Sequence, residues 1–213
     1  MTSLLELLKI TDSLLQKPKL HLNIDNEFEE ETEALILDII RQVKALGNAS
    51  FAMNRLVAKL LSDLGISTYL TRQGDVNLRM DAVGADNELF YVVETEFLAS
   101  LDSPRDILDD VAVFCSRYDI SKTKVIGIIV MCEFPNKRSE FWELINDIKK
   151  VVGLKIATIP LAALLTLYWN SADLVIADYF LDHKSMSARS AINEALGREI
   201  NLPAKSNLIE AAK

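Results

Sequence analysis

Residues 79–97 read RMDAVGADNELFYVVETEF, and their alternation decides the fold. Side chains on either side of the polar pair Asp86-Asn87 change character every second position, which predicts two antiparallel strands joined by a tight turn. A two-residue turn at Asp86 and Asn87 pairs Ala85 with Glu88. It thereby places Asp81 opposite Val92 and Arg79 opposite Glu94. Leu78, Met80, Ala82, Leu89, Tyr91 and Val93 then share an apolar face. Glu94 and Glu96 share the other face with Asp81, and the Cβ atoms of Asp81 and Glu94 become diagonal neighbours roughly 7 Å apart.

The pattern extends in both directions. Ser67 to Arg72 reads as a first strand, Val76 to Val83 as the second and Glu88 to Phe97 as the third, an antiparallel meander with a turn at Gln73-Gly74. Ser103-Pro104 with Asp106 resembles a capping box, and Ile107, Leu108, Val111, Phe114, Cys115 and Tyr118 supply the stripe of the helix that follows. Val125 to Cys132 is continuously apolar and rich in branched residues, so it reads as a strand covered on both faces, with helix 104–118 as the crossover into it. A helix from Ser139 to Lys150, a strand from Leu154 to Ile159 and a leucine-rich helix from Pro160 to Trp169 follow.

Upstream, an acidic run leads into a helix through Leu35, Ile36, Ile39, Ile40 and Val43 to Gly47. Asn48 or Ser50 caps the next helix, whose Phe51, Leu56, Leu60, Leu61 and Leu64 recur until Gly65. Leu4, Leu5, Leu7, Leu8, Leu14 and Leu15 form an amphipathic stretch ended by Pro18, and a helix over Ser187 to Glu199 precedes Pro203 and a polar tail. The fold class expected is α/β: a mixed sheet flanked by helices, with an N-terminal helical extension (1–47), a core (48–170) and a C-terminal helical extension and tail (171–213).

Composition narrows the chemistry. Among 213 residues, half are hydrophobic and only 7 are Gly and 5 Pro, so disorder and low complexity are excluded. The longest uncharged run, Ile156 to Ala172, contains Pro160 and is too short to cross a bilayer. Glu6 and Lys9 interrupt the first leucines, so no secretory signal is expected, and the chain is expected in the cytoplasm. Cys115 and Cys132 lack paired spacing and read as reduced, buried thiols. The glycines form neither GxGxxG nor GxxxxGK, and His21 and His183 have no zinc-ligand companions. The net charge of -8 opposes nucleic-acid binding, but seven acids between Asp25 and Asp38 carry most of it; without them 24 acids face 23 bases.

The unusual feature is charge inside the meander. Three acids on one face of a covered sheet need a counter-charge, because an unpaired buried charge is strongly destabilising. Two sources satisfy the pattern: Arg79 as a cross-strand ion pair with Glu94, or a divalent ion shared by Asp81 and Glu94. An oxygen-only donor set selects a hard ion, Mg²⁺ or Mn²⁺.

The helix, the meander with Asp81 on its second strand and Glu94-Thr95-Glu96 on its third, the crossover helix and the apolar strand together resemble the PD-(D/E)XK nuclease superfamily, over about residues 48 to 168. Within it, the chain is most similar to archaeal Holliday-junction resolvases and to nuclease-like proteins of archaeal spindle-shaped viruses. The resemblance implies a restriction-endonuclease-like fold and a Mg²⁺- or Mn²⁺-dependent endonuclease acting on branched or structured DNA, in host cytoplasm if viral. By the same resemblance Asp81, Glu94 and the Thr95 carbonyl hold the metal. Glu96 stands where the family usually has Lys, to position or deprotonate the attacking water, and Arg79 offsets phosphate charge. Where resolvases carry a Glu on the first core helix, this chain reads Met53-Asn54-Arg55, so Asn54 or an acid of the preceding helix takes that place. Lys122, Lys124, Lys137, Arg138, Lys149 and Lys150 are candidates for DNA-backbone contacts. A homodimer is expected, because Leu4–Leu15 and Leu161–Trp169 exceed what one sheet needs to cover itself. The alternative is a nuclease-fold protein that binds or assembles on DNA without cutting it.

Overall fold

The structure, a computed structural model, describes residues 27–46, 51–71, 80–98, 100–200, 202 and 207–212. Its centre is a five-stranded mixed sheet in the order β1 (Ser67–Leu70), β2 (Ala82–Ala85), β3 (Phe90–Leu98), β4 (Val125–Glu133) and β5 (Lys155–Pro160). The first three strands form the antiparallel meander, and β3, β4 and β5 run parallel. Among the described residues, six α-helices flank the sheet: α1 (Glu27–Leu46), α2 (Ala52–Asp63), α3 (Ser103–Tyr118), α4 (Glu140–Val152), α5 (Leu161–Asn170) and α6 (Arg189–Leu196). No described helix is long and apolar enough to cross a membrane.

Strand β4 explains the layering. Every residue from Val125 to Cys132 is buried, as a strand with helices on both faces requires. On one face, Gly127 lies between Val92 and Ile156, and a Cβ there would stand 2.9 Å from Ile107 Cγ1. The glycine therefore lets α3 settle onto the sheet, where Phe114 packs against Phe90 with ring centroids 6.0 Å apart. On the other face, Cys132 Sγ lies 3.7 Å from Met53 Sδ, so α2 covers that side, joined by α1 and α5. Ile36, Ile39, Ile40 and Val43 of α1 lie in the same core as the sheet.

The meander differs from expectation in its register. Ala85 pairs with Phe90, not Glu88, and Val92 pairs with Val83, not Asp81. The cause is Asp86: its Oδ1 accepts from the amides of Glu88 and Leu89, each at 2.8 Å, and its own amide donates to the Leu89 carbonyl at 3.1 Å. Those bonds lengthen the turn to residues 86–89. The slip is by two residues, so each side chain keeps its face, and Ala82, Tyr91 and Val93 are buried as the alternation predicts. The second strand spans Ala82–Ala85, and Asp81 immediately precedes it. Continuing the pairing by one residue places Asp81 level with Glu94.

Four further expectations change. Ser103 does not cap α3: Asp102 is the N-cap and makes no side-chain cap bond, while Ser103 begins the helix, fully buried. The C-terminal helix spans Arg189–Leu196, inside the expected 187–199. Residues 207–212 are not a polar tail; Leu208, Ile209 and Ala211 are buried, Phe134 N–H donates to the Asn207 carbonyl at 2.7 Å, and Lys137 N–H donates to the Ala212 carbonyl at 2.9 Å. Apolar burial and backbone pairing together hold this strap. Leu161, Leu164, Leu165 and Leu167 are fully buried in the chain's own core, so α5 leaves no apolar surplus to argue for a second copy. Leu4–Leu15, Asn48, Ser50, Gln73-Gly74 and Arg79 lie outside the described residues.

Candidate functional site

The acids meet where β3 runs past the end of β2 while still paired with β4. Its first half, Tyr91 to Val93, is buried apolar strand, but Glu94, Thr95 and Glu96 are half-buried at its C-terminal end. There the start of α2 and the approach to β2 leave an open cleft of about 290 Å³, lined by Phe51, Met53, Asn54, Asp81, Glu94, Thr95, Glu96 and Phe97. Phe51 turns the chain into α2 with a φ of 52°, which brings Asn54 to this cleft.

Each acid is held differently. Asp81 Oδ2 accepts from the Thr95 amide at 2.9 Å and the Thr95 hydroxyl at 2.7 Å, and the Asn54 side chain donates to the same carboxylate. Burial nevertheless raises its proton affinity above the ordinary aspartate value, against the pull of those donors. Glu94 is pushed up to about 9, first by burial and then by the charges of Asp81, Asp110, Glu96 and Asp106. Glu96 is raised by burial, lowered by a 2.9 Å hydrogen bond from the Ser103 hydroxyl, and raised again by Asp81 and Asp106. Among the described residues, none of these three acids is in an ion pair with Lys, Arg or His. Arg79, expected opposite Glu94, lies outside the described residues.

The expected residues Asp81, Glu94, Thr95 and Glu96 thus share one cleft. Thr95 adds an unexpected contribution, its amide and hydroxyl, which fix Asp81. Among the described residues, no group of three or more His, Cys, Asp or Glu side chains is arranged to hold a metal ion. Asp81 and Glu94 with main-chain or amide oxygen remain an oxygen-only set, and the burial and then the neighbouring acids that raise Glu94 are costs a hard divalent cation offsets.

Three residues of α3 were not read from the sequence as parts of the site. Ser103 donates to Glu96, and Asp106 and Asp110 press their charge on Glu94. Their spacing, i, i+3 and i+7, puts them on one helical face, and Asp110 is only 4% exposed although it is an acid. The lysines divide between two ends of the sheet. Lys137 and Arg138 follow β4 at the cleft's end; Lys122 and Lys124 precede β4, and Lys149 and Lys150 end α4, at the opposite end. From Phe90, paired with Val125, to Glu96 the strand covers six steps, or roughly 20 Å. No family model matches the chain, and no curated protein matches it.

Proposed function

We propose that this protein is a metal-dependent DNA endonuclease acting on branched or structured DNA, with its active site in the cleft at the end of β3. The observation that carries it is the convergence of Asp81, Glu94 and Glu96 in one open cleft, with Glu94 held near a proton affinity of about 9 by burial and by neighbouring acids. A structural carboxylate is placed to avoid such repulsion; a site that must accept a cation is placed to create it. Mg²⁺ or Mn²⁺ would be held by Asp81 and Glu94 with oxygen from Thr95 or Asn54, and would supply positive charge to the phosphate.

The chain's own residues do the rest. Thr95 and Asn54 orient the Asp81 carboxylate, and Ser103 orients Glu96. Glu96, its proton affinity raised, is the general base: it takes a proton from the water that attacks phosphorus, the P–O bond to the leaving sugar oxygen breaks, and that oxygen takes a proton from solvent. Arg79 would offset charge on the phosphate, and Lys137 and Arg138, exposed at this end, would meet the backbone on either side of the cut. A four-way junction offers two equivalent strands, so the homodimer form of the proposal sets one cleft on each; light scattering would then give twice the 23.8 kDa of one chain.

A second reading, a nuclease-fold protein that binds or assembles on DNA without cutting, is favoured by Glu96 in place of lysine and by its engagement with Ser103. Incubation of the purified protein with a labelled four-way junction separates the two. Incision with Mg²⁺ or Mn²⁺ that stops with EDTA and with Asp81→Ala supports the nuclease; retention of the junction uncut under all conditions supports the binding protein.

A further inference from the structure

We propose that the end of the sheet opposite the cleft is a second nucleic-acid surface, on which five lysines hold the phosphodiester backbone of a duplex. Lys122 and Lys124 lie on the 3-10 turn before β4, Lys149 and Lys150 on the last turn of α4, and Lys155 opens β5; all five are exposed. The fold gathers them. Lys122 Nζ donates to the Val152 carbonyl at 2.6 Å, beside the end of α4. Lys155 pairs with Ile126, two residues beyond Lys124, and Lys149 and Lys155 line the same shallow depression with Phe180.

The chain carries a net charge of -8, yet among the described residues none of the five lysines is in an ion pair. Among the described residues, the one carboxylate lining the depression, Asp182, turns its Oδ1 to the amides of Lys184 and Ser185. The end of α4 explains why cations are tolerated at Lys149 and Lys150, but not why three further lysines arrive from two other segments. Lys155 also sits over the Phe180 ring, 5.7 Å from its centroid, a cation–aromatic contact that holds its ammonium at this surface. The roughly 20 Å between the two ends exceeds the screening length of about 8 Å at physiological salt, so the acids of the cleft do not repel a backbone seated here. One end grips while the other cuts, which is how a chain of this charge meets a polyanion. The choice of DNA as the polymer rests on the function proposed above.

Fluorescence anisotropy of a short labelled duplex in EDTA, over a range of salt, tests the surface. The full chain is compared with the double variant Lys149→Glu, Lys155→Glu; circular dichroism checks that the variant is folded, with Mn²⁺ calorimetry at the cleft beside it. The expected result is at least about a tenfold loss of duplex affinity, a salt slope shallower by about 2, and Mn²⁺ binding unchanged. Equal affinity and slope in the two proteins would overturn the proposal, as would binding of the wild type to phosphatidylserine vesicles and not to the duplex. The nuclease fails separately: a wild type that binds the duplex through these lysines but leaves junctions intact with Mn²⁺ keeps the surface and loses the cleavage.

Discussion

Strands β3 and β4 lie side by side in parallel register, yet they are built to different ends. Glu94 pairs with Ile129 and Glu96 with Met131, at equal depth along the sheet. In β4 that depth is fully buried hydrocarbon; in β3 it is carboxylate beside carboxylate. The sheet would be more stable had β3 continued as it begins, with Tyr91, Val92 and Val93. A strand that abandons the core pattern where its neighbour keeps it marks the place where stability gives way to chemistry.

The contrast breaks most easily on the β4 side. Ile129→Ala empties a fully buried position, and chemical denaturation should show a loss of about 2 to 5 kcal/mol. On the β3 side the sign reverses. The folded protein holds the Glu94 proton up to about 9 against an ordinary 4.5, so the protonated form is the one folding favours. The Glu94 contribution to stability should be complete below pH 4.5 and be lost as the pH rises towards 9, about 3 kcal/mol of it by pH 7. Glu94→Gln should remove this decline, leaving the variant more stable than wild type at pH 8, and should abolish Mn²⁺ binding in the same preparation. A wild type with flat stability between pH 5 and 8 would mean that Glu94 is paired after all, with Arg79 as the first suspect.

Smaller effects sharpen the comparison. Asp81→Ala removes the acceptor for the Thr95 amide and hydroxyl, and thermal melts should register about 1 to 3 kcal/mol, together with loss of the Mn²⁺ signal in calorimetry. Equal Mn²⁺ affinity in the variant would remove Asp81 from the metal site. Ser103→Ala should cost about 1 kcal/mol or less and lower the rate of cleavage more than the affinity for DNA, with recovery in Ser103→Thr. Glu96→Ala, which touches little of the core, should lose cleavage while DNA binding persists.

What could be read from the sequence follows from how local each signal is. Val125 to Cys132 announced a doubly covered strand by its own composition, and the crossover helix by its stripe at Ile107, Val111 and Phe114, so the mixed sheet was legible. The acids of β3 were legible too, because alternation assigns faces whatever the register. The register itself was not: it hangs on Asp86 capping two amides, a choice between turn lengths that the pair Asp86-Asn87 leaves open. Nor did Ser103, Asp106 and Asp110 declare themselves. The Ser-Pro-x-Asp start satisfies a helix cap by pattern, and only the docking of α3 against the sheet turns its hydroxyl and carboxylates towards Glu96 and Glu94.

That docking rests on one missing methyl group. Gly127 leaves no room for a Cβ beneath Ile107, so the height of α3 above the sheet is set there, on a different strand from any acid of the cleft. Gly127 acts as a shim of zero thickness. Raising the helix by a few tenths of an ångström would move Asp106 and Asp110 away from Glu94 and stretch the Ser103 bond to Glu96, retuning the acids together without altering one of them. The electrostatics of the cleft can therefore drift, or be engineered, through the hydrophobic core alone.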